Sequence, residues 1–449
     1  MNIHWPKIEL PDGFGNVESY LRHLVEEGAK NRYGGIDTLV SARMDEELNC
    51  LKGYEPYFLI LHDIVGFFHA NNIFVTAIYN GAPCSIVNYC LGITMADPMR
   101  WGLAFEQFLQ KIDEDFPCVE LLVDGDSDCE ETVFYYLEKK YGDGCVSKAY
   151  DGYKQVDSSW PYLESKRVHH TNSNSIFLFD EPFEEAVGAI SAKEGVWETV
   201  MVLPKYSKDI LEELGYVHID INYIDVSNDL LTEIERETDK NIKLEDIPLD
   251  DMKTFDVLAD GSLDVSFDFN WMTFCREVKP MHEIGFCDFC NIISMRYRSF
   301  FDIYVERKKN EDKMMGDSLV SPILKNTLGM VLYQEQIIEI LRMVAGMDYK
   351  EAEKTRCDLR SHDDKKIDTR TETIMKGCLD RGMTEREASH VLNLILMNVN
   401  TASWFSSNVC HALIVYRDAW LRVHFINQYL KLKEKEETET EADNRIEVF

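Results

Sequence analysis

At 449 residues and 45% apolar side chains, the chain can fill the cores of two or three domains. Its 47 basic and 80 acidic side chains leave a net charge of -33, which argues against strong DNA binding over the whole surface, because phosphate contacts draw on Lys and Arg. The tail Lys431–Phe449 holds 4 basic and 7 acidic residues, so most of the acidity lies on the body of the protein. Apolar runs such as Tyr57–Phe68 are short and broken by His62 and Asp63, below the roughly 18–20 residues that span a bilayer. The start, Met1-Asn-Ile-His-Trp-Pro-Lys, has no signal-peptide pattern, and twelve scattered cysteines fit reduced thiols. A cytoplasmic protein without a membrane segment is expected.

In chain order, amphipathic spacing predicts helices over Val17–Arg32, ending at Gly34-Gly35, and over Thr38–Leu51. A buried helix follows over Tyr57–Ala70, then a short strand at Ile73–Ala77 and a helix over Cys84–Leu91. Val119–Val123 reads as a strand, Asp124-Gly-Asp-Ser-Asp128 as an acidic turn, and Glu130–Lys140 as a helix. Further strands are expected at Ser175–Phe179, Glu198–Leu203 and His218–Tyr223. Beyond about Leu230 the pattern is helical, and Lys433–Asp443 is a charge-rich low-complexity tail. The acidic turn fails as a calcium loop, since Cys129 and Tyr135 stand where such a loop needs Gly and Glu. Cys287 and Cys290 lack a second pair at zinc spacing and read as ordinary thiols on a helix. His169-His170 reads as part of a loop, and Ile446-Glu-Val-Phe449 only faintly resembles an apolar clamp-binding peptide.

The helical half contains Leu328-Gly-Met-Val-Leu-Tyr-Gln-Glu-Gln-Ile-Ile-Glu-Ile-Leu, preceded by Ile247-Pro-Leu-Asp-Asp-Met-Lys-Thr-Phe. The first half contains Tyr20-Leu-Arg-His-Leu, Tyr57-Phe-Leu-Ile-Leu-His-Asp and Asp97-Pro-Met-Arg-Trp-Gly-Leu-Ala-Phe-Glu-Gln-Phe-Leu. These segments, in this order, resemble the bacterial C-family DNA polymerases, the polymerase III alpha subunits, over most of Tyr20–Tyr429. The resemblance implies an α+β fold: a mixed α/β, nucleotidyltransferase-like palm with a reduced thumb, followed by mostly helical fingers. The expected division is palm over 1–150, reduced thumb over 151–197, palm again over 198–235, fingers over 236–430 and a charged tail over 431–449. The match starts close to Met1, so the family's PHP domain is expected to be absent, as are its C-terminal OB-fold and clamp-binding parts.

Polymerases of this kind hold two metal ions roughly 4 Å apart with convergent carboxylates. The family's Asp-x-Asp strand falls on Pro117-Cys-Val-Glu-Leu-Leu-Val-Asp, so the resemblance places Leu122 at a catalytic position. Glu120 and Asp124 flank it, separated along one strand by roughly 13 Å. Gly215-Tyr-Val-His-Ile-Asp-Ile resembles the segment of the third aspartate and puts that carboxylate, with any metal-binding role, at Asp220. Tyr79 stands where the family's triphosphate loop has Arg, and Gln107 replaces a second Arg, losing the charged bidentate fork. In the fingers, Arg356 is the surviving candidate for nucleotide binding. Tyr333-Gln-Glu-Gln336 reads as fingers framework.

A catalytically inactive pseudo-polymerase is therefore expected, a binding or regulatory module in replication or a mobile element, needing no cofactor. One alternative is an active DNA-directed polymerase using Glu120, Asp124 and Asp220 with Mg2+. The other is an acidic DNA-mimic decoy. Partners would be replication proteins or DNA, with DNA held weakly.

Overall fold

The structure, a computed structural model, describes residues 3–109, 117, 119–125, 127–148, 175–182, 186–193, 196–204, 208–224, 228–238, 240, 242–260, 277–278, 283–295, 300–310 and 319–435. His169-His170, residues 149–150 at the end of the expected first palm segment, residues 151–174 of the expected thumb, and the tail beyond 435 with Ile446–Phe449 lie outside these. The chain divides into two compact units, Met1–Asn228 and Asp229–Phe449, and the fold is mixed α+β.

In the first unit, α1 (Val17–Tyr33) starts where Asn16 accepts a hydrogen bond from Ser19 N and ends at Gly34, whose φ of 69° suits glycine. α2 (Thr38–Cys50) starts on the Asp37 carboxylate, which accepts from Leu39 N and Val40 N. α3 (Glu55–Ala70) is buried all round in its first two turns, Tyr57, Phe58, Leu59, Ile60 and Leu61 among them, and from there on turns His62, Asp63, Gly66 and His69 towards solvent along one face. The helix expected over Cys84–Leu91 is instead a 3-10 turn, Ala82–Cys84, followed by α4 (Ile86–Cys90). Ser85 breaks the run by capping α4 through its hydroxyl, which accepts from Asn88 N. A short helix, α5 (Pro98–Trp101), follows.

Five strands, β1 (Val75–Ala77), β2 (Glu120–Asp124), β3 (Val146–Lys148), β4 (Ser175–Leu178) and β7 (Val217–Ile224), pair in the order β1-β2-β7-β4-β3. β2 and β7 run parallel, and the other three pairings are antiparallel. Leu121, Val123, Ile219 and Ile221 point to the core and are fully buried, so the polar residues between them share the opposite face. Helix α6 (Ser127–Tyr141) begins three residues ahead of the expected start and takes in part of the acidic turn. β5 (Ala186–Lys193) and β6 (Val196–Pro204) form a separate antiparallel hairpin, and α7 (Lys208–Glu213) leads into β7.

Apart from loops and an isolated bridge between Tyr333 and Ser403, the described residues of the second unit form helices: α8 (Asn228–Thr238), starting at the unit boundary, α9 (Met252–Asp260), α10 (Phe286–Ser294), α11 (Phe301–Lys309), α12 (Ser321–Leu324), α13 (Gln334–Ile340), α14 (Tyr349–Arg360), α15 (Asp364–Asp380), α16 (Glu385–Asn398) and α17 (Phe405–His424). Tyr416 of α17 packs on Phe255, Phe286 and Phe289 with ring centroids 5.0, 5.8 and 6.5 Å away. Its hydroxyl accepts a hydrogen bond from Asp251 N at 2.9 Å. A second core joins Ile337, Ile338, Leu341, Leu359, Ile374 and Ile395 from α13 to α16. Cys287 and Cys290 both sit on α10, the first exposed and the second buried. No helix among the described residues is long and apolar enough to cross a membrane.

Candidate functional site

The polar face of the central sheet carries the expected carboxylates. The parallel register sets Glu120 beside Asp220, Leu122 beside Asn222, and Asp124 beside Ile224. Neighbouring strands are roughly 4.8 Å apart, so the first of these pairs brings two acids from opposite ends of the sequence together. Asp124 lies two side chains farther along the same face, roughly 13 Å from Glu120. On the other flank of β7, the antiparallel β4 sets Ser175 opposite Asp220.

Asp220 is densely bonded. Lys208 Nζ, from the first residue of α7, donates to Asp220 Oδ1 at 2.8 Å and to Ser175 Oγ at 2.9 Å. The Ser175 hydroxyl donates to the same Asp220 oxygen. His218 Nε2 lies 3.5 Å from Asp220 Oδ2 and 3.5 Å from Glu212 Oε1. Burial works against the Asp220 charge, but the His218 ring, the Lys208 ammonium and the Ser175 hydroxyl outweigh it and hold the carboxyl well below the usual carboxylate range. Glu120 moves the other way: burial and the Asp220 charge push it up, against the Asn222 amide that donates to it and the Lys208 charge.

A two-metal centre needs several carboxylate oxygens converging on ions roughly 4 Å apart. Among the described residues, no group of three or more His, Cys, Asp or Glu side chains is placed to hold a metal. The position beyond the Glu120–Asp220 pair is filled by Leu122 and Asn222. This donor set does not fit a metal pair.

The loop Ile78–Gly81, between β1 and the 3-10 turn, is tightly packed. Asn80 and Gly81 have φ of 56° and 75°, and a Cβ on Gly81 would lie 2.9 Å from Gln107 O. Tyr79 is partly exposed there, and the buried Gln107 accepts a hydrogen bond from Cys84 Sγ at 3.0 Å. Neither contributes a positive charge.

In the second unit, each residue of Tyr333-Gln-Glu-Gln336 holds a piece of backbone or a neighbouring side chain. Tyr333 OH donates to Asn291 Oδ1 at 2.7 Å, and Gln334 Nε2 donates to Ala402 O at 3.0 Å. Gln336 Oε1 accepts from Leu332 N at 2.8 Å and Tyr333 N at 3.0 Å, closing the start of α13. Glu335 accepts from Phe405 N at 2.9 Å and Ser406 N at 3.3 Å, so its carboxylate occupies the positive end of α17. Arg356 is buried, with Nε and Nη2 donating to Glu353 at 2.5 and 2.6 Å and the guanidinium over the Trp404 ring. The residue expected to bind nucleotide thus has a carboxylate of its own helix against it.

Burial pushes the Glu335 carboxyl up to about 7, although the Phe405 and Ser406 N–H groups and Arg356 favour its charge. With the folded value above the unfolded one, Glu335 adds stability that is complete below about pH 4 and is lost as the pH rises through about 7. Glu335→Gln is expected to flatten the stability profile between about pH 5 and 8. Urea midpoints measured across that window check this, and parallel profiles for the two proteins refute it.

Residues 19–154 match the family model of the bacterial DNA polymerase III alpha NTPase domain, and residues 223–382 match that of the bacterial DNA polymerase III alpha subunit finger domain. The chain is a relative of the bacterial DNA polymerase III alpha subunits. The DNA polymerase III subunit alpha of Borreliella burgdorferi is 23% identical over 95% of this chain and 42% of its own length. That of Staphylococcus aureus is 24% identical over 84% and 41%, and that of Halalkalibacterium halodurans 26% over 94% and 43%. The chain therefore spans about two fifths of the length of these alpha subunits.

Of the sequence candidates in this polymerase III alpha relative, the structure brings Glu120 and Asp220 together, leaves Asp124 apart, and encloses Arg356 in the other unit. Lys208, Ser175 and Asn222 complete the sheet-face cluster and were not among the candidates. Their only signal is pairing register, which a single sequence does not display.

Proposed function

We propose that the chain is a pseudo-polymerase: a polymerase III alpha-like scaffold without nucleotidyl transfer, serving as a binding or regulatory module in DNA replication or in a mobile element. In this reading, the palm comprises 1–150 and 198–235, interrupted by a reduced thumb over 151–197 that takes in β5, and the fingers follow over 236–430. The carrying observation is that one carboxylate pair, Glu120–Asp220, stands next to Leu122 and Asn222 where metal chemistry needs a further acid. The partners are replication proteins or DNA.

Charge supports a non-synthetic role. The first unit holds 17 Lys and Arg against 38 Asp and Glu, and the second 30 against 42. The first unit, which holds most of the proposed palm, is the more acidic, a poor surface for phosphate.

Primer extension on a primed template with Mg2+ or Mn2+ tests the proposal. No nucleotide incorporation is expected from the unmodified chain. Incorporation that Asp220→Ala abolishes would establish an active polymerase and overturn the reading.

A further inference from the structure

We propose that the Lys208 ammonium is the built-in cation of the sheet-face site, holding the place at Asp220 that a divalent ion would otherwise compete for. The inference rests on the pseudo-polymerase reading and adds what keeps the surviving carboxylate pair from recruiting metal.

Lys208 opens α7, on the chain segment that leads directly into β7, so its backbone is anchored close to the strand that carries Asp220. Its Nζ, Ser175 Oγ and Asp220 Oδ1 form a closed triangle: Lys208 donates to both oxygens at 2.9 and 2.8 Å, and Ser175 donates to the carboxylate. Three strands or helices thus meet at one carboxylate oxygen. Lys208 and Asp220 are largely enclosed, with side-chain exposures of 23% and 18%, so their attraction is screened less than that of a surface pair. Glu212 Oε1 lies 4.0 Å from the same ammonium, and the Asn222 amide donates to Glu120. Both acids of the pair are therefore already met by donors from the chain itself.

A divalent metal ion binds oxygen ligands at about 2.0–2.6 Å. An ion drawn to Asp220 Oδ1 would have to displace Nζ from that oxygen or sit against its positive charge. Removing the charge, and leaving Asp220, Ser175 and Glu120 in place, should uncover an oxygen-lined cation site with one metal's worth of ligands.

The test is Mn2+ titration of the full chain, with free ion followed by electron paramagnetic resonance. Lys208→Ala is expected to bind Mn2+ at least about tenfold more tightly than the unmodified chain, equivalent to about 1.4 kcal/mol. Lys208→Arg, which keeps the charge, should show no gain, and Asp220→Asn added to Lys208→Ala should abolish it. If Lys208→Ala loses its circular-dichroism signal, Lys208→Gln removes the charge and keeps a donor for Ser175 and Asp220. No gain in either folded variant, or a gain that survives Asp220→Asn, overturns the inference. Nucleotide incorporation by the unmodified chain sinks the pseudo-polymerase reading instead, and the two failures are therefore distinguishable.

Discussion

Glu47→Ala is expected to lower the unfolding free energy by about 4 kcal/mol, the range measured when one partner of a buried ion pair is removed. Glu47 lies on α2 with no solvent exposure, and Arg43 Nε donates to its Oε1 at 2.6 Å. The Ser85 hydroxyl donates to Oε2 at 2.7 Å, Ile86 N to Oε1 at 3.1 Å and Val87 N to Oε2 at 3.2 Å. One carboxylate thereby satisfies a guanidinium, a hydroxyl and the first two amides of α4, which have no partner within their own helix. Burial pushes the Glu47 carboxyl up, while Arg43 and the other donors favour its charge. Alanine would strand all of these donors. The same guanidinium donates to Cys84 O at 2.8 Å and Leu103 O at 3.1 Å, so a disturbance at Glu47 reaches the segments on both sides of α4. Glu47→Gln, which keeps an acceptor, should cost less. Urea denaturation decides, and a loss from Glu47→Ala under about 1 kcal/mol would show that the pair is not holding the unit together.

Gly28→Ala should cost about 3 kcal/mol, from over-packing against a neighbour that cannot rotate away. α1 passes so close to α4 that a Cβ on Gly28 would lie 2.0 Å from the Cys90 carbonyl oxygen and 2.7 Å from its carbon. Both atoms are backbone, so relief requires the helices to part. Alanine also improves helix propensity by about 1 kcal/mol, which is too little to compensate. Gly66 of α3 provides the contrast, since nothing lies within 4 Å of its added Cβ. Gly66→Ala should leave stability unchanged or raise it by up to about 1 kcal/mol. Thermal melts should show Gly28→Ala lowered by several degrees and Gly66→Ala unchanged or slightly raised. Equal small shifts would contradict the close approach of α1 and α4.

Local pattern made most of the fold legible. Isoleucines at 219 and 221 alternate with Asp220 and Asn222, and the strand expected over His218–Tyr223 is observed as Val217–Ile224. The expected Val119–Val123 is observed as Glu120–Asp124. β3 escaped because three residues carry no periodicity, and β5 because Ala186–Lys193, with Gly188 and three alanines, has weak strand propensity.

The site was less legible than its scaffold. Asp220 and Glu120 could each be named, yet their pairing depends on a register in which a slip of one residue would turn a strand's side chains to the other face. Lys208 reads in sequence as an ordinary charge between two strands. Glu47 and Arg43, spaced i to i+4 on an amphipathic helix, look like a surface pair, and only the packing of α4 over them makes them interior. Arg356 is similar: Glu353 three residues earlier is visible in the sequence, but the burial that makes the clamp binding is not.

The partnership of Glu120 with Asp220 also has a consequence for assembly. These adjacent residues are one hundred positions apart along the chain, and closing so long a loop costs roughly 4 kcal/mol in chain entropy from its length alone. During synthesis β2 leaves the ribosome well before β7, the strand that must lie between it and β4. The sheet can therefore zip up only late, after the helices ahead of it have had time to form from local contacts. Until then the edges of β2 and β4 that β7 will cover stay open to mispairing with another strand.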